Sequence, residues 1–343
     1  MAQTPSVEQA SASAKRRQFR ASAAAGRPRW RATTLGLRVL PLALLLAHAA
    51  GVFDLDGPTA GLWRGALRQS WSRWCMLEGL VAASSFGFWI LWFRFLDCFA
   101  IVKQFRLVPR PATQCWPAGR ELPAPVQDLR EALANLKAPS DRNLRAIRVW
   151  GSLPGYLGAI WLFHLVRTPP PVEETPPSFL RLAGELVLGI WAYDFVFYWL
   201  HLIMHLAPKL RHGHMCHHVL SGGDGRSPDG FLEAEAVVNH SFFDGFLQVA
   251  TNIVVQNLPL LGVPKHKLSR LLHNVAVTYL LTEAHAGLDL PWGSHRLLPG
   301  VLGGAPRHEV HHHLHKCCFH QFFTYLDDVL GFGPPPGTLV GWD

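Results

Sequence analysis

The sequence predicts an all-α, polytopic membrane protein: about four transmembrane helices in two hairpins, and a cytosolic helical cap carrying a histidine-rich dimetal site. Three observations predict it. The 343 residues are 49 % hydrophobic and only 16 % charged, too apolar for an ordinary soluble enzyme of this length. Several apolar stretches approach the ~20 residues a helix needs to cross a bilayer core. Seventeen of the nineteen histidines lie beyond residue 200, and eight of them fall into three clusters with internal spacings of three or four.

Residues 1–34 are rich in Ala, Ser and Arg, with Glu8 as the single acid, and cannot build a core. They read either as a disordered basic cytosolic tail or as a cleaved organellar targeting segment, plastid targeting included. Residues 35–180 hold the membrane helices and their connection. The apolar stretches run from about Leu37 to Phe53, Cys75 to Val102, Leu153 to Val166 and Phe179 to Leu206; the first and third are short and are read as tilted or re-entrant. Between them, the 103–150 segment carries Lys103, Arg106, Arg110, Arg120, Arg130, Lys137, Arg142, Arg145 and Arg148 against four acids. Cytosolic loops hold the Lys and Arg excess, so this segment faces the cytosol and the fourth stretch returns there. Arg64, Arg68 and Arg73 in the 54–74 loop argue mildly for the opposite orientation. Ser221 to Asp229 is a Gly-rich loop. The apolar runs Phe242–Val263 and Leu271–Leu281 are expected to be interfacial or re-entrant, which keeps all the histidine clusters on one face. Residues 181–332, which hold the histidine clusters, are expected to be the catalytic domain, and 333–343 a C-terminal tail.

His201 and His205 are four apart, while His214, His217, His218 and His308, His311, His312 both follow i, i+3, i+4. On a helix such residues share one face. Neutral imidazole suits zinc, copper, iron and nickel, and one ion rarely needs eight nitrogens, so two ions are inferred. Asp194 lies two helical turns before His201 inside an apolar run. A carboxylate at that depth needs a partner, and accepting the free N–H of a ligating imidazole supplies one. The six cysteines have no framework spacing; Cys216, Cys317 and Cys318 are read as bystanders, because thiolates favour zinc or clusters. The net charge of +8 is dispersed among apolar runs, which argues against nucleic acid. The segment from His308 to His312 also satisfies H-E-x-x-H, the pattern of a zinc hydrolase with Glu309 as base. That pattern would leave the other two clusters unexplained.

In order, YDFVFYWLHLIMH, RHGHMCHH, EAHAGLDLPW, RHEVHH and FFTYLDDVLG resemble the boxes and closing segment of the fatty acid hydroxylase and sterol desaturase superfamily of membrane di-iron enzymes. FLDCFAIVKQFRL sits where that family places an amphipathic connection after its first hairpin. The resemblance covers about Gly184 to Gly331, and Asp289 to Pro299 with Cys318 to Gly331 look most like its sterol side-chain hydroxylase branch. It implies that His201, His205, His214, His217, His218, His308, His311 and His312 hold metal, with His285 a ninth ligand and His240 a possible tenth. It also implies two iron ions, O2 as co-substrate, hydroxylation (or desaturation) of a sterol or acyl C–H bond, and residence in the endoplasmic reticulum membrane. No flavin, dinucleotide or haem-binding fingerprint is present in the chain. Reducing power is therefore expected from a separate donor, which the resemblance implies is cytochrome b5 and its reductase, fed by NAD(P)H.

Overall fold

The computed structural model describes residues 31–108, 150–167, 171–220, 232–259 and 262–339. The expectations for the tail before residue 31, most of the 103–150 connection with Cys115, the 221–229 loop and the last four residues lie outside the described residues. The described elements are helical: α1 (Arg31–Ala49), α2 (Asp56–Leu67), α3 (Leu77–Asp97), α4 (Ala100–Lys103), α5 (Leu153–Val166), α6 (Phe179–Leu206), α7 (Pro208–Leu220), α8 (Phe242–Asn257), α9 (Lys267–His285), α10 (Ser294–Leu297), α11 (Gly304–Leu314) and α12 (Tyr325–Leu330). Among the described residues the only β pairing is two isolated bridges, Arg106 with Leu288 and Leu302 with Phe323.

Local chemistry sets the helix ends. The Ser178 hydroxyl accepts the Arg181 N–H to start α6, Ser241 does the same for Asp244 at α8, and the His266 ring accepts the Leu268 N–H at α9. Each satisfies a backbone donor that has no partner within its helix. α6 stops at Ala207, which is extended because Pro208 follows it. Gly331, at φ 82°, ends α12 in the left-handed conformation that glycine tolerates.

Two helices, α3 and α6, are long and apolar enough to cross a membrane; α1 and α5 carry shorter apolar stretches. Leu80, Phe88 and Leu91 on α3 and Val187 and Trp199 on α6 point their side chains outward, the pattern of helices with an apolar surrounding.

The contacts between helices fix their directions. Arg270 meets Glu78, Trp89 bonds the Val275 carbonyl and Phe93 stacks on Tyr279, so α3 and α9 run the same way. Glu185 accepts the His266 N–H and Tyr193 packs with Val277 and Leu281, so α6 runs with them. Tyr156 bonds Gln248, and the Gly155 Cα lies hard against the α8 backbone at Phe242 and Phe246, where a Cβ would come within 2.4 Å of the Phe242 oxygen. α5 and α8 therefore run together, opposite to the other three. One end of the bundle gathers the last turns of α3, α6 and α9 and the first turns of α5 and α8.

Two expectations are decided by these contacts. Of the two alternatives for the runs after residue 240, the fold has the re-entrant arrangement: α8 and α9 form a hairpin that enters the bundle and returns, keeping His285 at the end it started from. The 54–74 stretch is not a plain loop, because α2 packs Trp63, Ala66 and Leu67 against Leu182, Leu268 and Leu272 and covers the opposite end.

Candidate metal centre

α6 delivers His201 and His205 in its last two turns, and α7 follows after a break at Ala207, so its His214, His217 and His218 fold back over them. α9 contributes His285 as its last residue, and α11 lies across the opening with His308, His311 and His312 facing in. All nine rings are buried. Their nitrogens fall into two groups: His201, His205, His214, His218 and His311 in one, His217, His285, His308 and His312 in the other, with the ligating atoms of each within 4.8 Å of one another. The groups adjoin, since the rings of His218 and His312 lie 4.5 Å apart.

The protonation pattern shows what such a pocket needs. His201 Nδ1 lies 2.7 Å from the Phe319 carbonyl, and His214 Nδ1 lies 2.8 Å from the Asp244 carboxylate. Both partners accept, so in each neutral ring Nδ1 carries the proton and Nε2 a bare lone pair. Yet the two Nε2 atoms face each other at 3.0 Å. The second group repeats the conflict: His285 Nδ1 is held by the Leu281 carbonyl at 2.7 Å and His217 Nδ1 by the Asn239 carbonyl at 3.3 Å, while their Nε2 atoms are 3.2 Å apart. His311 Nδ1 is tied to the Cys317 carbonyl at 2.8 Å, and its Nε2 has no hydrogen-bond partner. Facing lone pairs repel unless a cation sits between them. Metal–nitrogen bonds of about 2.1 Å at right angles separate their nitrogens by ~3.0 Å, the spacing seen here, so the residues present fit a pair of transition-metal ions. Burial, then neighbouring rings, push His217, His218, His308, His311 and His312 far below the usual imidazole range. Neutral imidazole is the ligating form.

Asp194 is fully buried but does not hold one of these nine rings. Its Oδ1 accepts the N–H groups of Gln321 and Phe322, its Oδ2 accepts that of Phe323, and His320 Nδ1 sits 2.6 Å from Oδ2. Its role is positional: it pins the 320–323 loop to α6, beside the Phe319 carbonyl that orients His201. The carboxylate that touches a clustered imidazole is Asp244, which sequence reasoning passed over. Its signal was available, three residues after a helix-capping serine and thus in the first turn of α8, but an acid there has an ordinary explanation in the helix dipole. His240 stacks on His217 with ring centroids 4.0 Å apart and stands outside both groups.

Glu309 turns away from the nitrogens, toward Arg106 and the Leu232 backbone, and burial pushes its carboxyl up to about 8. His308 and His312 share their group with two further imidazoles. A zinc hydrolase needs its glutamate at an open coordination position, so the H-E-x-x-H reading loses its base. The thiols of Cys216, Cys317 and Cys318 are free and join neither group.

Among known proteins, the chain is 30 % identical over 174 residues to human cholesterol 25-hydroxylase. It is 30 % identical over 178 residues to a cholesterol 25-hydroxylase-like protein of Danio rerio, and 28 % over 187 residues to one of Caenorhabditis elegans. These matches span 50, 51 and 52 % of this chain and 59, 66 and 58 % of the respective relatives. No family model and no solved structure matches.

Proposed function

For a chain homologous to the cholesterol 25-hydroxylases, within the fatty acid hydroxylase and sterol desaturase superfamily, we propose a membrane-bound, O2-dependent hydroxylase acting on a C–H bond of a lipid, foremost a sterol. The observation that carries the reading is the pair of adjoining imidazole groups whose lone pairs face one another at 3.0–3.2 Å.

His201, His205, His214, His218 and His311 would hold one iron, and His217, His285, His308 and His312 the other. Two irons so held would supply the activation of dioxygen and the oxidising power to break an unactivated C–H bond. The chain does the rest. Asp244 and the carbonyls of Phe319, Cys317, Leu281 and Asn239 each fix an Nδ1 and so aim an Nε2 inward. Asp194 and Asp327, which accepts the Phe319 and His320 N–H groups, hold the loop that carries two of those anchors. Phe197 and Phe319 lie against His201 and exclude water from it.

The apolar outer faces of α3 and α6 favour a membrane setting, with α1 and α5 completing two hairpins and α7, α11 and α12 forming the cap on the cytosolic side. The endoplasmic reticulum is the proposed membrane. Electrons would come from a separate donor of the cytochrome b5 type, since the chain offers no motif for a redox cofactor of its own.

Expression in a sterol-producing host tests the reading. Wild-type chain should yield an oxygenated lipid only under air, and His217→Ala and His311→Ala, one from each group, should abolish it. His48→Ala, which sits at the far end of α1 against the Phe53 carbonyl, should leave it intact. Product from either ligand variant would reject the assignment.

A further inference from the structure

Between α3, α5, α6, α8 and α9 lies a cavity of about 310 Å³, walled by apolar side chains such as Ala82, Phe86, Leu157, Ile160, Val277 and Leu281. Its near end reaches Gln248, one helical turn from Asp244, and Leu281, one turn from His285. Toward α2 it adjoins a smaller space of about 80 Å³ whose wall includes the polar side chains of Glu78, Asn252, Gln256, Arg270 and Asn274. The two share Gly79, Ala82, Ile160, Val249 and Asn252 as a common wall.

The polarity of that far end is fixed by a chain of hydrogen bonds. Asn274 Nδ2 donates to the Glu78 backbone carbonyl, which can only accept. Asn274 Oδ1 is therefore the acceptor facing inward, and both Asn252 Nδ2 and Gln256 Nε2 donate to it, at 2.9 and 2.6 Å. Gln256 is thus left presenting its Oε1, which is buried and has no partner. A buried amide oxygen without a donor is unfavourable, and Gln256 lines the smaller space that adjoins the apolar cavity. Arg270 does not offer a charge there, because Glu78 and the Lys265 carbonyl occupy its guanidinium. The site asks for a hydrogen-bond donor, and an ionised carboxylate has none.

Distance completes the picture. Twelve residues of α8 separate Asp244 from Gln256, and eleven of α9 separate Asn274 from His285. At a rise of 1.5 Å these are roughly 16–18 Å, about the length of a sterol from its ring alcohol to the branched end of its side chain.

We propose that Gln256, oriented by Asn274, binds the ring hydroxyl of a sterol that lies in the apolar cavity with its alcohol in the smaller adjoining space, so that the end of the side chain remote from the alcohol arrives at the imidazole groups. This rests on the hydroxylase reading for the chemistry at the other end, but the binding site is testable alone. Full-length chain as purified, in detergent and without added reductant, is titrated with tritiated cholesterol, then challenged with 5α-cholestane, which lacks the hydroxyl, with hexadecanol and with palmitic acid. Cholestane should compete at least tenfold more weakly than unlabelled cholesterol, and hexadecanol and palmitic acid more weakly still. Gln256→Leu should weaken cholesterol about tenfold and erase its advantage over cholestane, and Ala82→Phe, which fills the cavity, should weaken both sterols. Equal competition by cholestane, tighter binding of hexadecanol or absence of saturable binding would each overturn the proposal, and these wild-type measurements decide it even if a variant fails to fold. Iron-loaded chain is assayed in parallel for oxygenated product. Product without hydroxyl selectivity sinks the headgroup site and leaves the hydroxylase standing; hydroxyl-selective binding without product does the reverse.

Discussion

Asp194→Asn replaces one oxygen of a buried carboxylate by an amide NH2, and the structure says which contacts that breaks. Oδ1 keeps the Gln321 and Phe322 N–H groups, at 2.9 and 3.0 Å. Nδ2 then faces the Phe323 N–H, which had bonded Oδ2 at 3.0 Å, and the Nδ1 of His320. His320 Nε2 accepts the Leu326 N–H at 3.2 Å, so its Nδ1 carries the ring proton. Two donors would oppose a third. Losing the one hydrogen bond to Oδ2, worth about 1.5–3 kcal/mol for a charged acceptor, loosens the 320–323 loop by that amount. Hydrogen–deuterium exchange of a peptide covering 319–324, in detergent, reads this directly. Exchange limited by local opening should accelerate by roughly ten- to a hundredfold. Unchanged protection in the variant would refute the view that Asp194 serves as the clasp of this loop.

Two other changes separate the supports of the centre from one another. Asp244→Ala removes the acceptor of the His214 Nδ1–H, and the chain's affinity for Fe(II), measured by equilibrium dialysis against a chelator, should fall about ten- to a hundredfold. Wild-type affinity there would show that His214 needs no orienting partner. Burial pushes the Asp289 carboxyl up, but hydrogen bonds from His295 and Arg296 outweigh it and hold it at about 2, below the ordinary 3.8. A carboxyl depressed in the folded state adds stability that is fully present above the ordinary value and is lost as pH falls from about 4 to 2. Asp289→Asn should therefore cost about 2 kcal/mol at pH 7 and almost nothing near pH 2, as read by chemical unfolding; an equal loss at both would contradict the pairing.

Much of the site was legible because helical spacing is a geometric rule: residues at i, i+3 and i+4 must share a face, and the rings so predicted do converge. The spacing could not say which ring joins which group. His217 and His218 are neighbours in sequence yet fall on opposite sides of the division, because adjacent helical residues point about 100° apart. Asp194 was visible as an expensive buried acid, but its partners are backbone amides more than a hundred residues away, a contact that no local pattern encodes. For the α8–α9 hairpin the sequence left two arrangements open, interfacial and re-entrant. The contacts that decide between them are not local: Asn252, Gln256, Arg270, His273 and Asn274 bond one another and α3, which draws the hairpin into the bundle.

Metal analysis of the purified full-length chain is the most direct test of the central claim. Elemental mass spectrometry should return two irons per chain, reduced toward one in both His217→Ala and His311→Ala. One zinc per chain, or no stoichiometric metal in folded protein, would contradict it.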